Sequence, residues 1–569
     1  MDLGPFRSPI EASRISRLVA RTRRSPRPTL LASVRGLASA IERCKGFPRL
    51  CKAADVSTSP AISMTPPRLL HEPASEVPVF AEVDVLIAGG GLAGCAAALA
   101  AARAGATTLL TEREGFLGGV STATMMASIG NHYVVADGSQ TIYGIAAEVV
   151  ERLVTAGAAP EGWRRLKAIP MDSERLKVVL IEMLEEAGVR ILTHALACRP
   201  FMEGRSVKGC FLEGKSGRIA VLAKNTVDCT GEADLAWRAG AEVREHRASS
   251  SLLFKLAGVD LERFLRFLAE DEAGFPQNVD GVANLHSLVR SWREERVFFF
   301  GHHSGPKWRW LRGQIAAGAY GELRRDQYGN RPWWGLAENI DAFGMYTSRQ
   351  DGTLVINTGY YCFDRIDVGE LSRFETHAQR LCYYAADFMK RHIPGFEKSR
   401  LEHLGAALGL RGGRHIVGRS KLTIPAYREG GTKWKCDDVI ATPPVNIHDR
   451  SGFGPTTNRT AEIPFGVCVP VNASRLLVGS GKSVNTDGGN YRLFRGMSGC
   501  MVFGQATGAA AALAAQRGLP SEELPVRDLQ RELLRQGVRL GDPSRLRELG
   551  LDGIGNFSDD AARPGRIER

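Results

Sequence analysis

The segment Val83–Gly94, Val-Asp-Val-Leu-Ile-Ala-Gly-Gly-Gly-Leu-Ala-Gly, constrains this chain more than any other. An apolar run broken only by Asp84 reads as a strand buried on both faces, the kind found in parallel sheets. Gly89, Gly91 and Gly94 then give G-x-G-x-x-G. The first glycine permits the tight turn out of the strand. The second has no Cβ, so the backbone across Gly91, Leu92 and Ala93 can approach a pyrophosphate. The third lets the next helix pack close to the sheet. That helix, predicted over Cys95–Ala104 and rich in alanine, would aim its first amides at phosphate. A second predicted strand, Thr107–Thr111, ends at Glu112, which stands 21 residues after Gly91. An acid at that distance binds ribose hydroxyls. Strand, glycine turn, helix, strand and acid together point to a dinucleotide-binding fold of the α/β class.

The same arrangement serves NAD and FAD, and three later segments separate the two. Arg113-Glu114-Gly115-Phe116-Leu117-Gly118-Gly119-Val120-Ser121 follows the ribose acid directly. It resembles the segment that runs along the flavin in the glutathione-reductase-like FAD superfamily. Thr226–Asp234, an apolar strand that ends in Thr230-Gly231-Glu232-Ala233-Asp234, resembles the Thr-Gly strand beside the dinucleotide in those flavoproteins. Arg475–Lys482 is a short strand with a glycine turn at Gly479. Gly504-Gln505-Ala506-Thr507-Gly508 is then expected to open an Ala-rich helix whose N-terminus faces the pyrimidine end of the isoalloxazine. The acid that usually follows the glycine of the closing turn is replaced by Ser480.

With these matches the chain resembles the bacterial FAD-dependent oxidoreductase family related to the heterodisulfide reductase flavin subunit and, more distantly, to fumarate reductase flavoproteins. The resemblance runs from about Val83 to about Val538. It includes Leu410–Gly418, similar to a Gly-x-Arg-Glu-Ser-Arg-Arg-Ile-x-Gly block, with Gly412 and Gly413 in place of Glu-Ser. It implies FAD and redox chemistry and no particular substrate.

The length of 569 residues suits two or three interleaved domains rather than one core. The expected division is a disordered basic extension over 1–77, a Rossmann-type FAD-binding domain over 78–248, an inserted mixed β-sheet/helix substrate domain over 249–430, a C-terminal closure of the FAD domain over 431–540, and a tail over 541–569. The net charge of +12 resembles a nucleic-acid signal, but residues 1–63 hold 12 Lys/Arg against 4 Asp/Glu, so eight of those charges lie there. The remainder is nearly balanced, and no nucleic-acid partner is expected. The basic segment suits a start at Met64 instead of Met1, an organellar transit peptide, or a basic interaction tail. A cytoplasmic location follows from the first reading and an organelle matrix from the second. No apolar run reaches the roughly 18–20 residues of a membrane span; Cys95–Ala102 and Ala509–Ala515 read as packed helices. Eleven cysteines include no Cys-x-x-Cys pair. They read as free thiols, with no metal site, no iron–sulfur cluster and no redox dithiol of that type.

The middle of the chain lacks the Rossmann pattern. Ser251–Lys255 and Gly352–Asn357 read as strands, and Leu371–Arg391 reads as a helix stopped before Pro394. Trp308, Trp310, Trp333 and Trp334 serve as core or as pocket walls. Hydride transfer needs a substrate held in register and a group that takes a proton. Arg411 and Arg414 are candidates for the first role, since guanidinium forks hold carboxylates, with ion pairing as the structural alternative. His302 and His303 are candidates for the base, with His403, His415 and His448 behind them. Asn485, Asp487 and Asn490, after the closing turn, are placed to reach flavin or substrate, and Arg492 and Arg495 are further anion binders. The expected activity is a dehydrogenase or reductase of a small polar molecule, carboxylated or not, with a separate electron acceptor. A flavin monooxygenase and a non-catalytic electron-transfer subunit remain as alternatives.

Overall fold

Parallel strands hidden from water on both faces need a long apolar run, and the chain supplies it first. In a computed structural model, Val85, Leu86, Ile87 and Ala88 are fully buried at the end of strand β1 (Val79–Ala88). The structure describes residues 69–130, 133–166, 168–246, 248–270, 285–300, 344–347, 349, 351–363, 366–423, 435–445, 458–487 and 494–554. The unit from Ser75 onward is described below.

After β1 come helix α1 (Leu92–Arg103), β2 (Thr108–Thr111), β3 (Arg190–Leu192), β4 (Leu196–Glu203), β5 (Ser206–Gly214) and β6 (Gly217–Asp228). The sheet order is β3-β2-β1-β6-β5-β4. The pairs β3–β2, β2–β1 and β1–β6 are parallel, whereas β6–β5 and β5–β4 are antiparallel. β6 is twelve residues long and shares one edge between two partners. Its first half pairs with β5, and Thr226–Asp228 pair with a strand that returns far later in the chain. The carboxyl ends of β1 and β6 are in register, Ala88 opposite Asp228. Ligands of open α/β sheets bind beyond that edge.

A second sheet begins at β7 (Ala248–Ala257) and continues through β8 (Phe298–Phe300), β9 (Gly344–Thr347) and β10 (Leu354–Phe363). Helix α2 (Val368–His392), β11 (Arg400–Leu404) and β12 (Gly409–Leu410) follow. The order is β8-β9-β10-β7-β11, with β12 also on β7, and every pair is antiparallel. One face packs on α2 through Phe254, Leu256 and Ile356. The other turns Leu253, Tyr346 and Val355 toward Ala127 and Met126. α2 starts three residues before the predicted Leu371 because Asp367 caps it, accepting from Glu370 N at 3.0 Å. β10 starts two residues after the predicted Gly352, whose φ of +77° places it in the turn.

The chain returns as β13 (Leu476–Val478) beside β6 and continues into helix α3 (Met497–Gln516), followed by helices Val526–Arg535 and Pro543–Glu548. α3 begins two turns upstream of Gly504, so Gly504, Gln505 and Ala506 do not open a helix, as their sequence suggested. The glycines that resembled a turn are packing positions. A Cβ on Gly504 would lie 2.0 Å from the Ala93 carbonyl oxygen. α3 is long and apolar enough to cross a membrane, contrary to the reading of shorter runs, and 78% of its most apolar window is buried within the protein.

Candidate functional site

The site starts at the β1–α1 turn. Gly89 has φ +105°, and a Cβ there would fall 2.5 Å from the Cys229 carbonyl oxygen. A Cβ on Gly94 would fall 1.8 Å from the Gly89 oxygen. These two glycines are required by packing. Gly91 differs, since the nearest atom to its absent Cβ is the Gly119 Cα at 3.8 Å. Gly118 N donates to Gly90 O at 2.9 Å, and Gly118 and Gly119 both have positive φ. Two glycine turns therefore face each other with no side chain between them. Gly91 caps α1 without a side-chain bond, and the first turn carries no acidic residue. Leu92 and Ala93 are buried, so the turn presents backbone to a ligand. The turn is bare of side chains and lies at the positive end of a helix, a surface that suits a pyrophosphate.

Glu112 follows β2 and is buried at the rim. Its carboxylate accepts from Gly90 N at 2.7 Å and from Glu114 N at 3.0 Å. The acid thus braces the glycine turn. Arg113 is exposed and pairs with Glu114 at 3.2 Å. Val120, beyond the second glycine turn, is 44% exposed, while Ser121 is buried.

The third wall is the end of β6. Asp228 is fully buried and accepts from Thr230 N at 3.0 Å, Thr230 Oγ1 at 2.6 Å and Ala236 N at 2.8 Å. Burial pushes its carboxyl above the usual range, against the pull of those donors. These bonds hold Thr230 and Gly231 beside Gly89. The sequence pattern included Asp228 but not this role; an acid two residues before the turn threonine was the available signal.

The C-terminal residues divide. Gly479 is a packing position, with Thr507 Oγ1 at 2.7 Å and Cys229 Sγ at 2.8 Å from its absent Cβ. Asn485 spends its amide on the Gly418 and Ser420 carbonyls at 3.2 and 2.9 Å. Gln505 Oε1 accepts from Ile145 N at 3.1 Å, within α3 and away from its N-terminus. Ala506 is fully buried in that helix. Asp487 pairs with Lys421 at 2.5 Å. Sequence reasoning missed Lys482, which is ion-paired to Glu232 beneath Gly231.

The two candidate arginines part company. Arg414 lies on a short strand, Arg414–Ile416, with its side chain 7% exposed. It pairs with Asp234 at 2.6 Å and lies over the Trp237 ring, 4.3 Å from its centroid. Arg411 sits in the turn after β12, partly buried, and donates to Ser251 Oγ at 3.0 Å. Just before that turn, Gly405 and Gly409 pack against Ala123 and Thr124. The Asn357 amide donates to Tyr346 Oη at 3.0 Å and lies 3.8 Å from Met126 Sδ. Glu375 accepts from Leu408 N at 2.9 Å, and burial raises its pKa.

His302, His303, His448, Asn490, Arg492 and the four tryptophans lie outside the described residues. His403 is exposed on β11. His415 is buried against His246, ring centroids 4.5 Å apart, and burial holds it down at about 4. Arg495 is partly buried just before α3. The described cysteines Cys95, Cys198, Cys210, Cys229, Cys382, Cys436, Cys468 and Cys500 are free thiols.

The family model for FAD dependent oxidoreductases matches residues 84–533. Solved structures similar to this chain include a geranylgeranyl bacteriochlorophyll reductase-like protein of Thermoplasma acidophilum, 13% identical, with 84% of this chain and 94% of that one covered at a TM-score of 0.37. The p-nitrophenol 4-monooxygenase of Pseudomonas putida is 12% identical over 84% and 95%, at 0.38. A flavocytochrome c3 fumarate reductase is 13% identical over 77% and 79%, at 0.33.

Proposed function

The chain belongs to the FAD dependent oxidoreductase family, and from that premise we propose that it is a dehydrogenase or reductase that moves a hydride between FAD and a small polar substrate held by Arg411. The enzyme's cofactor is FAD, which supplies a two-electron carrier when bound. Gly91, Leu92, Ala93 and the Gly118–Gly119 turn would hold its pyrophosphate, and Glu112 its ribose.

The observation that carries the reading is the position of Arg411. It follows directly on β12, whose Gly409 packs on Thr124, and donates to Ser251. A guanidinium there can fix a carboxylate or carbonyl oxygen by two parallel bonds and so set the reacting carbon in register. The buried Asn357–Tyr346 pair adds a hydroxyl of defined orientation on the same side. The apolar surroundings of Leu253, Val355 and Met126 exclude water, which strengthens each polar contact. A separate acceptor would then take the electrons.

The test is an anaerobic titration of the yellow protein with a panel of small hydroxy and amino acids, their neutral amides and simple alcohols. Bleaching of the flavin by one class, with weaker binding in Arg411→Met, supports the proposal. Oxidation of NAD(P)H with substrate-dependent oxygen consumption, and no bleaching by any panel member, would replace it with a monooxygenase.

A further inference from the structure

Glu232 and Lys482 are 250 residues apart in sequence and form a buried ion pair, their side chains 13% and 11% exposed. Lys482 Nζ also donates to the Leu410 carbonyl at 3.1 Å, at the end of β12 in the second sheet. The Glu232 Cγ would lie 2.9 Å from a Cβ placed on Gly413. Three segments thus converge on one pair: the Thr230–Gly231 turn, the turn after β13, and the turn that carries Arg411.

The pair also stands close to the cofactor cradle. Lys482 Nζ lies 3.5 Å from the absent Cβ of Gly231, whose carbonyl accepts from Ser483 Oγ. One residue back, Thr230 N lies 3.1 Å from the absent Cβ of Gly89 in the phosphate turn. Asp234 and Arg113 also act on Glu232, the first raising and the second lowering its pKa.

A buried pair of this kind seldom adds stability over apolar residues of the same size, because desolvation offsets the attraction. Its charges nevertheless act strongly on anything else in the same low-dielectric space. FAD would gain negative charge on two-electron reduction, and a dinucleotide bound to this fold would lie beyond this edge of the sheet. A fixed positive charge favours the reduced state, and a fixed negative charge opposes it. We propose that Lys482 tunes the redox potential of the cofactor, with Glu232 holding the ammonium in place and offsetting part of its field. Both are positioning and electrostatic residues, with no contact to substrate required.

The two partners carry opposite signs, so their variants move the potential in opposite directions. The experiment is an anaerobic, dye-equilibrated reductive titration of the FAD-loaded full chain, its Lys482→Met, Glu232→Gln and double variants, with thermal unfolding of each. Lys482→Met is expected to cost the reduced form about a tenfold factor against the oxidised form, a fall of about 30 mV for a two-electron couple. Glu232→Gln keeps an acceptor for Lys482 and is expected to raise the potential, and the double variant falls between them. A pair that serves only as a structural strut would lower both melting temperatures and leave both potentials unmoved or shifted together, which overturns the proposal. Where Lys482→Met does not fold, Glu232→Gln decides alone: an upward shift supports the proposal and an unchanged potential ends it.

Discussion

Gly508 of α3 rests on Ala97 of α1. A Cβ added to the glycine would fall 2.0 Å from the Ala97 carbonyl oxygen and 2.7 Å from its Cα. Four residues earlier Gly504 meets Ala93 in the same way, so the two helices touch backbone to backbone over a full turn. Helices that close are possible only where one surface lacks side chains and the other carries small ones. Gly508→Ala is therefore expected to destabilise the protein by about 3 kcal/mol, the upper end for overpacking, although alanine is the better helix former. Urea denaturation checks this, and a variant as stable as the parent would refute the contact.

Gly91 gives the opposite expectation. Its absent Cβ has open space, with Gly119 Cα the nearest atom at 3.8 Å, and its φ of −66° suits any residue. Gly91→Ala should fold with the parent's melting temperature. It should bind FAD at least tenfold more weakly, about 1.4 kcal/mol, because the methyl group occupies the pyrophosphate cradle. Reconstitution of the apoprotein, followed by flavin fluorescence, measures the affinity directly. Equal loss of stability and affinity would place Gly91 among the packing glycines.

Arg411 and Arg414 are three residues apart and should fail differently. Arg414→Met removes a 2.6 Å bond to Asp234 and the contact with Trp237, and should lower stability by about 2 kcal/mol, the scale of a hydrogen bond to a charged group. Arg411→Met should leave stability nearly unchanged and raise KM for the bleaching substrate by roughly tenfold or more. Steady-state kinetics beside a melting curve for each variant separates the two roles. An unchanged KM in Arg411→Met would withdraw this residue from the substrate site.

His415 carries the pH expectation. Burial lowers its pKa from 6.5 to about 4, so the unfolded chain binds this proton more readily than the folded one. The folded state then has its full stability above about 6.5 and loses it as the pH falls toward about 4. His415→Gln should flatten the stability profile across that window relative to the parent. The difference between the two urea-denaturation profiles isolates the histidine from the carboxylates that titrate in the same range.

The phosphate turn was legible because local geometry and chemistry coincide there. Gly89, Gly91, Gly94, Glu112 and the Gly118–Gly119 turn lie within 31 residues of one another, and each has a backbone reason that spacing alone reveals. The roles of Arg414, Asn485, Gln505 and Gly504 were not legible. Each is decided by a partner remote in the chain: Asp234 for Arg414, Ile145 for Gln505 and Ala93 for Gly504, while Asn485 reaches back to Gly418 and Ser420.

Sequence by itself determined the strand, the glycine turn and the helix after it, since these follow from short-range patterns with strict steric rules, while the FAD assignment came from the resemblance of later motifs to a flavoprotein family. Tertiary structure alone decided which glycines are fixed by packing and which face open space, and which arginine is neutralised by a neighbour. It also decided that a glutamate after the Thr-Gly turn meets a lysine 250 residues later. The physical reason is that burial and charge compensation depend on what the fold brings together, and one chain read in order does not contain those distances.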